Sequence, residues 1–301
     1  MPKPKTTIDL AGVRFSSPER LVYPEVGITK LELAQHYLAV ADAMLPHLKM
    51  RPVTMIRCPD NYQKCFFQKH IDKASHYDGV TPVTLQEDKG PALYASIDEI
   101  KGMIALVQLG VVEFHTPGSR RDKLGQPDRF IIDLDPDPSV GWERVVEAAV
   151  AIRDLLLELG LASYAKTTGG KGLHVVCPIR RSRTTEEVRA FTGALAGMFE
   201  GVAPKRYTTN VSKSHRKGKI LLDYMRNSPG ATAVEVFSAR AREGAPVAMP
   251  VSWEEIGDVR GDTFTVRNAK DRLTSRRADP WKDFFSVRQS ITAKAMKQVG
   301  L

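Results

Sequence analysis

Apolar positions along the chain alternate between a helical and an extended rhythm. Leu33, His36, Tyr37, Val40, Met44 and Leu48 recur at helical spacing behind the capping box Thr29-Lys30-Leu31-Glu32, which predicts a helix to about Leu48. PVTMIR at 52–57 reads as a strand, and from Tyr94 the pattern predicts a strand, a helix over about 96–109 and the strand VVEFH to His115. The QEDKGPA and TPGSRRDKLGQPD stretches around that group read as loops from their Gly, Pro and charge content. Residues up to about Ser17 predict one short strand at most. Further on, 141–160 is the clearest helix, with Val145, Ala149, Ile152, Leu156 and Leu159 in one stripe and Gly160 at its close. Strands at 162–166 and HVVCP, a helix near 184–199 and a strand at 220–224 complete an α/β pattern with a mixed sheet.

Composition narrows the class. At 301 residues and 42% hydrophobic content the chain can bury one large core or two modest ones. No apolar run approaches the roughly 20 residues of a membrane helix, and MPKPKTTIDL lacks the apolar core of a signal peptide, so a cytoplasmic, nucleoid-associated protein is expected. Cys58, Cys65 and Cys177 are too few for a disulfide framework and fit a reducing compartment. Cys58, Cys65 and His70 lack a fourth ligand and the tight pairing of a zinc site. A formal charge of +9 and a pI near 9.4 favour a polyanionic partner, most often nucleic acid.

The candidate chemistry centres on RFIIDLDPDP at 129–138. Asp133 and Asp135 interrupt an apolar strand two residues apart, so both carboxylates emerge on one face. They suit Mg²⁺ or Mn²⁺, the alternative being acids that simply face water. Pro136 and Pro138 should end the strand and leave Asp137 outside the site. Asp223 is a lone acid in the apolar strand ILLDY, just after the basic loop SKSHRKGK. It either joins the first two acids or sits on an edge strand in solvent. In TTGGKGLH, Gly170 and its neighbours can bring backbone N–H groups to a phosphate with Lys171 adding charge, and His174 is either a triphosphate ligand or structural. Lys30 stands in the first turn of its helix, where a cation is disfavoured unless an anion docks there with Arg20. Phe66 and Phe67 lie among basic residues and either stack on bases or pack inward.

IDLDP, GGKGLH and LLDY, in this order and at these separations, resemble the signature motifs of the archaeo-eukaryotic primase superfamily. Within it the chain is similar to the polymerase domain of bacterial ATP-dependent DNA ligase D, from PERLVYPEVGITK through CFFQKH to VEVFSARAREGAPVAMPVSWEEI and DPWKDFF. The resemblance implies a template-directed nucleotidyltransferase of non-homologous end joining that prefers ribonucleotides and Mn²⁺ (or Mg²⁺) and works at 5′-phosphorylated break ends. It implies two metal ions on Asp133, Asp135 and Asp223, and an incoming NTP or dNTP held by His115, Thr168, Gly170, Lys171, His174 and Arg240. Arg20 and Lys30 would take the downstream 5′-phosphate, Phe66 and Phe67 the template, and Arg216 would lie by the primer. Ku and attached ligase and nuclease domains are the implied partners, with no membrane and a monomer off DNA. The expected architecture is a single polymerase domain over 1–301. Its active site would lie between an N-terminal α/β module (about 1–119) and a primase-like catalytic module (about 120–301).

Two departures stand out: Thr168 replaces the family's usual serine, and Pro117 stands where a tryptophan commonly follows the histidine. A metal-dependent nuclease would use the same acids, and a non-catalytic DNA-end adaptor would leave them unexplained.

Overall fold

A computed structural model of the chain describes residues 6–72, 77–275 and 279–301. The start of the N-terminal stretch, 1–5, lies outside the described residues. The fold is mixed α/β, and the chain forms two compact units. The first takes the described residues up to Thr116, then Val234–Ala248 and the segment opening at Phe264; the second takes Pro117–Ala233, Met249–Thr263 and the C-terminal segment to Leu301.

The first unit opens on a hairpin of β1 (Thr7–Leu10) and β2 (Val13–Ser16), two strands where the sequence pattern supported at most one. β3 (Leu21–Tyr23) and β4 (Ile28–Thr29) lead into α1 (Lys30–Leu48). Its capping box is formed: Thr29 Oγ1 accepts from Glu32 N at 3.1 Å and Glu32 Oε2 from Thr29 N at 2.8 Å. β5 (Pro52–Arg57) is followed by β6 (Phe66–Gln68), then β7 (Val80–Glu87) and β8 (Gly90–Ile97), α2 (Ile100–Gln108) and β9 (Val111–Thr116). The sheet order is β9-β5-β8-β7 with β6 also on β5, all antiparallel. The stretch expected as a loop around QEDKGPA is therefore a hairpin, and α2 begins only at Ile100. β7 alternates between exposed and half-buried positions, so solvent on both sides removes the apolar rhythm that marks a strand.

α1 buries Leu33, Tyr37, Val40, Met44 and Leu48, the stripe its spacing predicts. The Tyr37 hydroxyl donates to Val112 O at 2.5 Å and accepts from Ala239 N at 3.0 Å, tying the helix to β9 and to the returning segment. His36 meets Phe237 O at 2.9 Å. Burial pushes its imidazole from 6.5 down to about 4, against the opposing effect of that hydrogen bond. The unfolded chain takes up this proton near pH 6.5 and the folded chain does not until about pH 4. Stability from His36 is therefore expected to fall as pH drops through that window, by up to about 3 kcal/mol. Urea unfolding at pH 7 and pH 4.5 checks this; in His36→Gln that part of the pH dependence should vanish.

The second unit is built on a six-stranded sheet. β10 (Arg129–Pro136), β11 (Tyr164–Thr167), β12 (Leu173–Pro178), β13 (Tyr207–Thr208) and β14 (Ile220–Asp223) join the short strand Pro250–Val251 in the order β13-β14-β10-β12-β11 and then that strand. Only the β13–β14 pair is parallel. α3 (Trp142–Glu158) connects β10 to β11 and α4 (Thr185–Val202) connects β12 to β13. They bury Val145, Ala149, Ile152 and Leu156, and Val188, Phe191 and Leu195. Trp281 donates from its indole to Ala165 O at 2.9 Å and stacks on Phe284 at 4.6 Å, so DPWKDFF packs against β11. Among the described residues no helix is long and apolar enough to cross a membrane.

Candidate active site

Strand register, not sequence proximity, assembles the acidic centre. β10 lies between β12 and β14, which aligns Asp133 with His174 on one side and Asp223 on the other; Lys166 on β11 stands opposite His174. Directly opposed residues of antiparallel strands share a face. Lys166, His174, Asp133 and Asp223 therefore form a row across four strands, with Asp135 two residues along β10 on the same face. β13 flanks β14 at Ile220 and Leu221, and Asp223 beyond it is half-buried against Arg226 rather than open to solvent.

The charges in this row are mutually constrained. Arg226 Nε lies 3.2 Å from Oδ2 of both Asp133 and Asp223, and His174 Nε2 lies 3.4 Å from Asp133 Oδ1. Arg216 Nη2 donates to Asp135 Oδ2 at 2.5 Å. Burial by itself would raise the Asp133 carboxyl, but His174 and Arg226 outweigh it and hold that group well below the usual carboxylate range. Asp223 moves the other way: burial raises it, Arg226 opposes, and repulsion from Asp133 and Asp135 adds to the rise. His174 is pushed by burial down to about 4 despite the nearby Asp133, and its Nδ1 is buried with no hydrogen-bond partner.

Among the described residues no group of His, Cys, Asp or Glu side chains is disposed to hold a metal ion as it stands. Two guanidiniums occupy the carboxylates. The donor set itself fits a hard divalent cation: three carboxylates on adjacent strands, repelling one another, with oxygen ligands only. His174 Nδ1 beside them is a buried polar atom with no hydrogen-bond partner.

The loop between β11 and β12 packs backbone to backbone. Thr168 Oγ1 donates to Gly172 O at 3.0 Å, so its hydroxyl closes the loop. A Cβ on Gly172 would lie 2.6 Å from Leu134 O, and one on Gly261 only 1.9 Å from Gly170 O. Gly261→Ala is therefore expected to displace the GGKG backbone and weaken nucleoside triphosphate binding by about tenfold. Titration with ATP checks this, with Lys171→Ala as the reference for losing the exposed lysine of the loop.

The remaining predicted residues lie in the first unit. Arg240 Nε and His115 Nε2 meet the same oxygen, Glu113 Oε2, at 2.8 and 2.7 Å. Lys30 is no solvated surface charge: it is 3% exposed, its ammonium donates to Ser16 O at 2.8 Å and Gln108 Oε1 at 2.6 Å, and it sits 4.4 Å over the Phe15 ring. Arg20 Nη1 donates to the carbonyls of Cys58, Pro59 and Asp60. Cys58 and Cys65 are disulfide-bonded with Cα atoms 4.2 Å apart, which goes against the reducing compartment that three cysteines were read to fit; Cys177 is free and buried. That bond also removes both sulfurs from any zinc site, and His70 meets Glu87 instead. Phe66 and Phe67 are 47% and 56% exposed, so neither ring packs into the core.

The family model of the LigD primase-polymerase domain matches residues 29–281. The chain belongs to this family. A multifunctional non-homologous end joining protein LigD of Pseudomonas aeruginosa is 39% identical over 293 residues, which is 96% of this chain and 35% of that protein. A bifunctional non-homologous end joining protein LigD of Bacillus subtilis is 31% identical over 91% of this chain and 44% of its own length. The chain thus spans less than half the length of each of these relatives. The polymerase domain of Mycobacterium tuberculosis ligase D, solved in complex with DNA, superimposes with a TM-score of 0.84 at 27% identity, covering 91% of this chain and 98% of that one.

Three residues that pair with the predicted ones carry no recognised motif. Arg226 lies three residues past Asp223 in a 3₁₀ turn. Lys166 carries no motif of its own. Glu113 is a lone acid in an apolar strand, the signal that marked Asp223, and it could have been found the same way.

Proposed function

We propose that the chain is a template-directed nucleotidyltransferase that extends 3′ ends and fills gaps at 5′-phosphorylated DNA breaks in bacterial end joining, with ribonucleotides preferred. The observation that carries this reading is the register that sets Asp133 against Asp223 with Asp135 on the same face, in a chain of the LigD primase-polymerase family.

Asp133, Asp135 and Asp223 would hold two divalent ions, Mn²⁺ or Mg²⁺. When bound, these supply a lowered pKa at the primer 3′-hydroxyl and charge neutralisation on the triphosphate. The hydroxyl attacks the α-phosphorus, the bond to the bridging oxygen breaks, and pyrophosphate leaves. Thr168, Gly170, Lys171, His174, His115 and Arg240 would bind the nucleotide. His174 is neutral above about pH 4, which suits a hydrogen-bond donor or acceptor better than a fixed charge. Arg20 and Lys30 would take the 5′-phosphate, Phe66 and Phe67 would stack on the template, and Arg216 would leave Asp135 for the primer. Ku and companion ligase and nuclease activities fit the same pathway, in the cytoplasm.

Primer extension on a 5′-phosphorylated gap with Mn²⁺, comparing ribonucleotides with deoxyribonucleotides, tests this. Lengthening of the primer, greater with ribonucleotides, is expected and should stop on chelation of the metal. Shortening would indicate a nuclease, and binding without any change of length would indicate an adaptor.

A further inference from the structure

We propose that Glu113 is a positioning residue for nucleotide binding: one buried carboxylate that sets the geometry of both His115 and Arg240. The inference rests on the proposed nucleotidyltransferase reading and deepens it, since none of the site residues assigned above includes Glu113.

β9 reads VVEFHT, and Glu113 and His115 are two residues apart on it, so both side chains leave the same face. Pairing with β5, Ile56 against Glu113 and Thr54 against His115, fixes their register. Glu113 Oε2 accepts from His115 Nε2 at 2.7 Å and from Arg240 Nε at 2.8 Å, and Oε1 accepts from Ala241 N at 2.7 Å. The acid thus holds the arginine's side chain and the backbone just after it. The Arg240 main chain is pinned as well: its N–H donates to Pro246 O at 2.8 Å, and its carbonyl accepts from Tyr23 OH at 2.7 Å.

A buried carboxylate is expensive unless it is paired and hydrogen-bonded. Here burial works to raise its pKa, but His115 and Arg240 bring it down to about 2, so Glu113 is an anion at any working pH. With Nε held by Glu113, the plane of the Arg240 guanidinium is set before any ligand arrives. His115 is held by its Nε2 in the same way. One anion shared by two cationic or donor groups makes them a unit, so their contributions to binding should not be independent.

The rival account is that Glu113 only neutralises Arg240 within the core. Coupling separates the two. ATP binding in the presence of Mn²⁺, measured by calorimetry, should weaken about tenfold or more in Glu113→Gln, and KM for ATP in primer extension should rise by a similar factor with a smaller change in kcat. In an Arg240→Ala, His115→Ala background the same Glu113→Gln change should cost less than about twofold. An equal loss in both backgrounds, or no loss in the natural one, overturns the proposal. Should Glu113→Gln fail to fold, Glu113→Asp keeps the charge and withdraws it by one methylene. That variant should weaken ATP while leaving discrimination between 5′-phosphate and 5′-hydroxyl ends intact; ATP binding as tight as in the natural chain refutes the role. If the natural chain itself binds no ATP, the nucleotidyltransferase reading falls too; if it binds and the Glu113 variants match it, only this inference falls.

Discussion

Asp133→Ala is expected to abolish primer extension, by at least about 10³-fold, while DNA affinity changes little. Asp133 is the one member of the acidic row that touches residues on both sides, His174 at 3.4 Å and Arg226 at 3.2 Å. Its loss removes a carboxylate that neighbours keep ionised and leaves Arg226 paired with Asp223. DNA is expected to bind mainly through basic and aromatic surfaces elsewhere, so fluorescence anisotropy with a gapped duplex should hardly shift. Asp133→Asn, which keeps the shape without the charge, should be nearly as inactive under single-turnover conditions. Thermal stability should fall in both variants, because a buried carboxylate that His174 and Arg226 hold ionised is lost from its pair. Full extension by either variant removes the metal assignment.

Lys30→Met should erase the preference for 5′-phosphorylated gaps, a loss of about 10- to 100-fold in discrimination, with modest harm to extension on unphosphorylated ends. Methionine keeps an unbranched apolar stem and removes the ammonium that lies over Phe15. The Ser16 carbonyl and Gln108 Oε1 then lose a charged donor, which adds a stability cost of about 1–3 kcal/mol. Extension rates on gaps with phosphate or hydroxyl ends, read beside a urea melt, separate the two effects. If the variant still discriminates, the phosphate pocket lies elsewhere.

Legibility from the sequence followed burial. α1 and α3 were readable because each has one wet and one dry side, and β10 because seven of its eight residues are buried, with Asp135 the one break. The β7–β8 hairpin was not readable, since much of it is solvated and its turn residues mimic a loop. The return of 234–248 to the first unit is a long-range event with no local signature. Among site residues, the paired acids announced themselves by spacing, whereas Arg226 is significant only because a 3₁₀ turn folds it back over Asp223. The Cys58–Cys65 bond likewise depends on the turn between the two, which brings their Cα atoms within 4.2 Å.

Because the centre is a line drawn through four strands, its tolerance to insertion and deletion is sharply divided. A single residue gained or lost within the paired part of β14 would swing Asp223 to the opposite side of the sheet and dismantle the centre in one step. The connection from 179 to 184, outside the pairing, can change length at little cost to it, whereas 209 to 219 carries Arg216 onto Asp135. Homologues of very different overall length should therefore keep the paired strands free of gaps, and a designer grafting a new loop onto this scaffold should cut at 179 to 184.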